Sequence, residues 1–135
     1  VKTAKKTSPT ARALAQLRKE GHVAAVTEKW NQFAKIRQDL FGFIDLIYLT
    51  GVQRFKINWK PASDFGNIVA VQVTTGDNHA KRRTKLLAEP RALIWLQSGG
   101  LIEVWSYTKA GAKDKRKLWT LRREEIVADD FKVSG

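Results

Sequence analysis

The chain has 135 residues, enough for a single domain with its own hydrophobic core. It carries 25 lysines and arginines against 13 acids, a formal net charge of +12, and no cysteine. The missing cysteines exclude disulfide scaffolds, thiolate metal sites and thiol nucleophiles, and a hydrophobic share of 43% with five tryptophans excludes a disordered tail.

No apolar run approaches the ~18 residues of a membrane span, and no secretory pattern opens the sequence. A reducing, cytoplasmic location is therefore expected, with no membrane partner. The positive excess creates a field that attracts polyanions. Nucleic acid is expected ahead of anionic lipid, because phosphate neutralisation supplies non-specific affinity and no basic helix with a broad aromatic face is present.

Residues 1–9 read as a flexible basic N-terminus and 10–135 as the folded domain. Ser8 and Pro9 have the form of a helix N-cap and first position, Ala11, Leu14 and Leu17 keep helical spacing, and Gly21 ends the helix. "HVAAVTEKW" (22–30) predicts a first strand and "NQFAKIRQD" (31–39) a polar connector. "FGFIDLIYL" (41–49) and "NIVAVQVTT" (67–75) predict the second and third strands. Gly76-Asp77 opens a helix to about Leu87, and Pro90 starts another that ends at Gly99-Gly100. "LIEVWSYT" (101–108) is the fourth strand, and the basic turn "AGAKDKRK" (110–117) leads into "LWTLR" (118–122), the fifth. The expected fold class is α/β: one mixed sheet with helices packed on it, strands two and three antiparallel, and strand four parallel to three across the helical crossover.

Asp45 is the one charge in an apolar strand. Side chains alternate along strands, so Asp45 shares a face with Phe43 and Ile47, Gln72 and Thr74 share one with Ile68 and Ala70, and Glu28 one with Ala24 and Val26. Taken singly these residues have plain readings. Asp45 would pair with a lysine or arginine, Gln72 and Thr74 would face solvent on an edge strand, and Glu28 would be a solvated strand end. Taken together on neighbouring strands they would form an oxygen-rich pocket of the kind Mg²⁺ or Mn²⁺ prefers, and a metal or cationic partner resolves the cost of a buried carboxylate.

With "KIRQDLFGFIDLIYL" followed by "AVQVTTG", the α-β-β-β-α-β order resembles the PD-(D/E)XK nuclease superfamily, and within it the small phage-type and archaeal-type Holliday junction resolvases. The resemblance spans about Thr10 to Leu121. It implies a restriction-endonuclease-like core, an Mg²⁺- or Mn²⁺-dependent endonuclease acting on branched DNA, and a homodimer, for which Trp105 and Tyr107 are apolar candidates. A non-catalytic DNA-binding protein on the same fold, or a nicking or restriction-type nuclease on linear duplex, are the alternatives. By position, Asp45 corresponds to the motif's metal-binding Asp. Gln72 stands where the family has Asp or Glu, and Thr74 where it has Lys. Glutamine can still offer a ligand oxygen, but threonine has no ammonium, so Lys85 on the following helix is the expected substitute. Glu28 is the expected extra ligand, giving Asp45, Gln72, Thr74, Lys85 and Glu28 as the catalytic set and Asp45, Gln72 and Glu28 as metal ligands.

Lys35, Arg37, Lys81, Arg82, Arg83, Lys115 and Arg116 are the expected DNA contacts. A basic run by itself is a solvated face, and only the neighbouring pocket turns "KRRTK" (81–85) into a DNA track. Trp30 and Phe33 are expected as core or dimer contacts, with stacking on an exposed base as the alternative. His22 and His79 have no metal-ligand spacing. No Ser-His-acid arrangement and no glycine-rich phosphate loop can be read.

Overall fold

The computed structural model describes residues 7–50, 67–110 and 118–131. Helix α1, Pro9–Lys19, starts where Ser8 Oγ accepts the Ala11 N–H at 3.1 Å and proline occupies the first turn. It closes in a Schellman arrangement. Gly21 at φ +91° lets the Gly21 N–H reach the Arg18 carbonyl and the His22 N–H the Leu17 carbonyl.

Five strands form one mixed sheet in the order β1-β4-β5-β6-β7, where β1 is Val23–Val26, β4 Leu46–Leu49, β5 Ile68–Thr75, β6 Leu101–Ala110 and β7 Leu118–Ile126. β1, β4 and β5 are successively antiparallel, β6 is parallel to β5, and β7 returns antiparallel to β6. The β5–β6 crossover is a 3₁₀ turn at Gly76–Asn78, helix α2 at His79–Leu87 and helix α3 at Pro90–Gln97.

Strand alternation sorts the core into two layers. Val69, Val71 and Val73 of β5 join Leu46, Tyr48, Trp105 and Tyr107 under Ala13 and Leu17 of α1. Ala70, Ile102, Val104 and Ile126 face the other way, with Leu86 of α2 and Ala92 of α3. The result is a sheet sandwiched between α1 and the α2–α3 pair. The expected α/β class, the mixed sheet and the two strand directions agree with this. Trp105 and Tyr107, expected as dimer contacts, are instead buried in the α1-side core, because their alternation on β6 aims both inward.

The last two strands run further than expected, to Ala110 and Ile126, and two segments differ in kind. The predicted first strand breaks after Val26, and what was expected as a connector is a separate hairpin, β2 (Lys29–Asn31) against β3 (Ile36–Gln38), outside the main sheet. The predicted second strand is paired only from Leu46. Before it the chain turns through Phe41 (φ +53°) and Gly42 (φ +80°), and Leu40 and Ile44 bridge across the turn. Glycine is the residue that accepts this backbone, and here it makes a turn inside an apolar run.

Candidate functional site

That turn builds the site. Leu40 and Ile44 exchange both backbone hydrogen bonds at 3.0 Å, so Asp39 and Asp45, the residues flanking this pair, are brought together at the mouth of the loop. β1 arrives from the other side. The Thr27 and Glu28 N–H groups both bond the Asp45 carbonyl, at 2.9 and 3.3 Å, which fixes Glu28 beside the two aspartates. One carboxylate oxygen from each of Glu28, Asp39 and Asp45 lies within 4.8 Å of the others.

Asp45 sits one residue before β4, where the β4–β5 ladder gives out. Its N–H donates to the Val71 carbonyl at 2.9 Å, and its carboxylate takes over the acceptor role from the backbone. Oδ2 receives the Val73 N–H at 2.7 Å and the Gln72 side-chain N–H at 2.8 Å. The carboxylate is buried, and burial, the Asp39 hydrogen bond and the nearby Asp39 and Glu28 charges outweigh the Val73 N–H and push its pKa up to about 8. Three carboxylates at this spacing repel when ionised, and a hard divalent cation placed among them would reverse the shift.

The acids lie in a cleft of about 590 Å³ that also touches Thr10 of α1, Arg37 and Gln38 of β3, Gln72 and Val73 of β5, Arg82 and Lys85 of α2, and Arg91 of α3. Four cations therefore line the cleft with three acids, a layout suited to an anion bound over a metal. Arg37 reaches Glu28 at 3.4 Å, and Arg91 is tied to Glu89 at 2.7 Å.

The expected site residues separate accordingly. Asp45, Glu28, Gln72 and Lys85 share the cleft. Glu28 reaches it from the turn after β1 rather than from the strand. Gln72, expected as a ligand, donates its amide to Asp45 and orients it. Thr74 is buried opposite Ser106 on β6 and does not line the cleft. Of the expected DNA contacts, Arg37 and Arg82 line the cleft, while Lys35 and Lys81 are exposed outside it. Arg83 turns away into ion pairs with Glu124 at 2.9 Å and Asp130 at 3.0 Å. Lys115 and Arg116 lie outside the described residues. Trp30 and Phe33 are exposed, so a core role is excluded.

Asp39 was missed. The signal available was the pair of aspartates flanking "LFGFI", with glycine at the centre of an apolar run marking a turn.

A Ser-His-acid arrangement, not legible in the sequence, does form. His79 Nδ1 lies 2.7 Å from Ser106 Oγ, and Nε2 lies 2.8 Å from Glu124 Oε1. Ser106 is only 1% exposed and His79 3%, so no substrate reaches them. With Arg83, they clamp α2 to β6 and β7 and leave the Arg82–Lys85 face of the helix toward the acids.

Comparison of the chain with family models, with curated proteins and with solved structures finds no match.

Proposed function

We propose that this protein is a divalent-metal-dependent DNA endonuclease with a restriction-endonuclease-like core, acting on branched DNA of the Holliday-junction type. The observation that carries the reading is the Glu28–Asp39–Asp45 carboxylate cluster in a cleft whose wall includes Lys85 and Arg82. The order α1-β1-β4-β5-α2-β6, antiparallel through β5 and parallel at β6, supports the core assignment, with the β2–β3 hairpin inserted after its first strand. The net charge of +12 supports a polyanionic substrate.

The oxygen donors suit Mg²⁺ or Mn²⁺. Glu28, Asp39 and Asp45 would hold the ion, which when bound supplies an activated water and neutralises phosphate charge. The rest belongs to the chain. The Val73 N–H and Gln72 fix the Asp45 carboxylate through Oδ2 where it lines the cleft. Lys85, in the role that Thr74 cannot fill, would stabilise the negative charge that builds up on the phosphoryl oxygens in the transition state. Arg82, Arg37 and Arg91 take the flanking phosphates and hold the strand in line. Paired cuts across a junction require two such clefts, hence a homodimer.

The test is incubation of a labelled four-way junction and a linear duplex of matching sequence, with Mg²⁺ and with chelator. Cutting of the junction in Mg²⁺ alone is expected. Linear duplex cut equally fast would leave a general nuclease. Tight junction binding with no cleavage in Mg²⁺ or Mn²⁺ would leave a non-catalytic DNA-binding protein.

A further inference from the structure

We infer that the β2–β3 hairpin is a base-stacking finger, with Phe33 and Trp30 engaging an unstacked nucleotide of the DNA whose phosphate lies in the cleft. The inference rests on the DNA reading above but not on cleavage.

The hairpin stands apart from the main sheet as a two-stranded unit. All six of its strand residues except Asn31 are exposed. Phe33 at its tip is 100% exposed, Trp30 57% and Ile36 50%, three large apolar side chains within seven residues. An isolated two-stranded hairpin is marginal in water, yet this tip is well defined. Asn31 Oδ1 accepts the Phe33 and Ala34 N–H groups at 2.9 and 3.0 Å, Asn31 Nδ2 donates to Gln38 Oε1 at 3.2 Å, and Lys35 takes φ +54° to close the turn. The chain thus uses local hydrogen bonds to display an aromatic ring rather than to bury one.

Charge and continuity identify the occupant. Lys29, Lys35 and Arg37 are exposed on the same hairpin, next in the chain to Trp30 and Ile36, which favours a polyanion with flat apolar faces. Trp30 pairs with Arg37 across the hairpin and so shares its face, and Arg37 is the residue that reaches Glu28 and lines the cleft. A strand lying in the cleft therefore continues onto the Trp30 face. From Glu28 to Phe33 the extended backbone reaches at most about 17 Å, or about five steps of a stacked strand. A nucleic-acid base near a branch point, unstacked and within that distance of the cut, fits both the aromatic tip and its cationic flanks.

The experiment is equilibrium binding in chelator to a four-way junction and to linear duplex, with parent protein, Phe33→Ala, Trp30→Ala and Phe33→Trp. Photocrosslinking to 5-iodouracil placed at the branch accompanies it. Phe33→Ala is expected to lose about 5- to 150-fold in junction affinity, the value of one stacked base. Duplex affinity should be unchanged, Phe33→Trp should restore the preference, and the crosslink should fall on the peptide carrying Phe33. Full exposure of Phe33 makes its replacement neutral for folding, which a thermal melt verifies. Equal binding of junction by parent and Phe33→Ala overturns the finger while leaving the nuclease reading intact, as does an equal loss on junction and duplex. A parent dimer that dissociates in Phe33→Ala, measured by sedimentation, also overturns it, by making the hairpin a contact between copies.

Discussion

Two groups of acids in this protein differ in how they are neutralised. Glu124 and Asp130 lie with His79 and Arg83, at 2.8 to 3.0 Å from their partners. Burial opposes ionisation of Glu124, but the bonds to His79 and Arg83 prevail and hold its carboxyl below the usual range. Glu28, Asp39 and Asp45 face chiefly one another, Arg37 touches Glu28 at 3.4 Å, and Asp45 moves the opposite way, up to about 8. The first group is finished by the chain itself and serves architecture. The second is left without that internal neutralisation, and in the proposed reading a metal ion would complete it. Helix α2 stands between them, with His79 and Arg83 serving one group and Arg82 and Lys85 facing the other.

The largest expected effect separates the groups by chemistry. Asp45→Asn removes a ligand and should lower cleavage by about 10³-fold or more, the several kcal/mol a metal ion supplies, while DNA affinity holds. Comparable cleavage by the variant would put the ion elsewhere. Next, Lys85→Ala should slow single-turnover cleavage by roughly 10²-fold with little change in affinity. A normal rate would assign the transition-state charge to another cation, Arg82 or Arg91 among them.

Stability should sort the groups in reverse. His79→Ala removes the imidazole from Ser106 and from Glu124, which keeps only its arginines, and should cost about 1–3 kcal/mol in denaturant melts, whereas Asp45→Asn in chelator at neutral pH should cost nothing or stabilise. The pH dependence has opposite signs. Asp45 is raised, so its contribution is complete below its unfolded value and is lost as pH rises toward about 8. Glu124 is lowered, so its contribution is present above its unfolded value of 4.5 and is lost as pH falls through the folded one. Thermal melts in chelator should thus decline from about pH 5 to 8, and Mg²⁺ should flatten that decline. A profile identical with and without Mg²⁺ would deny the cluster its ion.

The smallest effect contrasts neighbours on α2. Arg82→Ala should reduce the slope of log affinity against log salt by about 0.9, one phosphate contact, and Arg83→Ala should leave it unchanged. Equal slopes would mean that the cleft face of α2 does not meet DNA.

Much of the architecture could be read in advance because it rests on local signals. Ser8-Pro9 and Gly21 delimit α1, and the valines of β5 alternate with Ala70, Gln72 and Thr74 as their burial requires. Asp45 stood out because a charge in an apolar run needs an explanation. What stayed hidden depends on backbone conformation or on distance in the chain. Gly42 at φ +80° converts half of an apparent strand into the turn that recruits Asp39, and apolar residues on both sides of it look the same in either state. His79, Ser106 and Glu124 come from three elements, and only the register of β6 against β7, with Ser106 opposite Arg122, brings them into reach. The core reading of Trp30 and Phe33 failed because large aromatics are usually buried, and their hairpin leaves the sheet that would have covered them.

The way Asp45 ends the β4–β5 ladder also has a consequence for ion size. One carboxylate oxygen is occupied by the Val73 N–H and the Gln72 amide, at 2.7 and 2.8 Å, and works as a link of the sheet. An ion held there as proposed would be met chiefly by the other, so Asp45 would bind through a single oxygen on a rigid mount. Ca²⁺ favours six to eight oxygens with carboxylates gripping through both, whereas Mg²⁺ accepts single carboxylate oxygens at short range and completes its octahedron with water. In the metal-binding reading, the hydrogen bond that finishes a strand would therefore also work as a gauge, admitting small hydrated cations and disfavouring large ones.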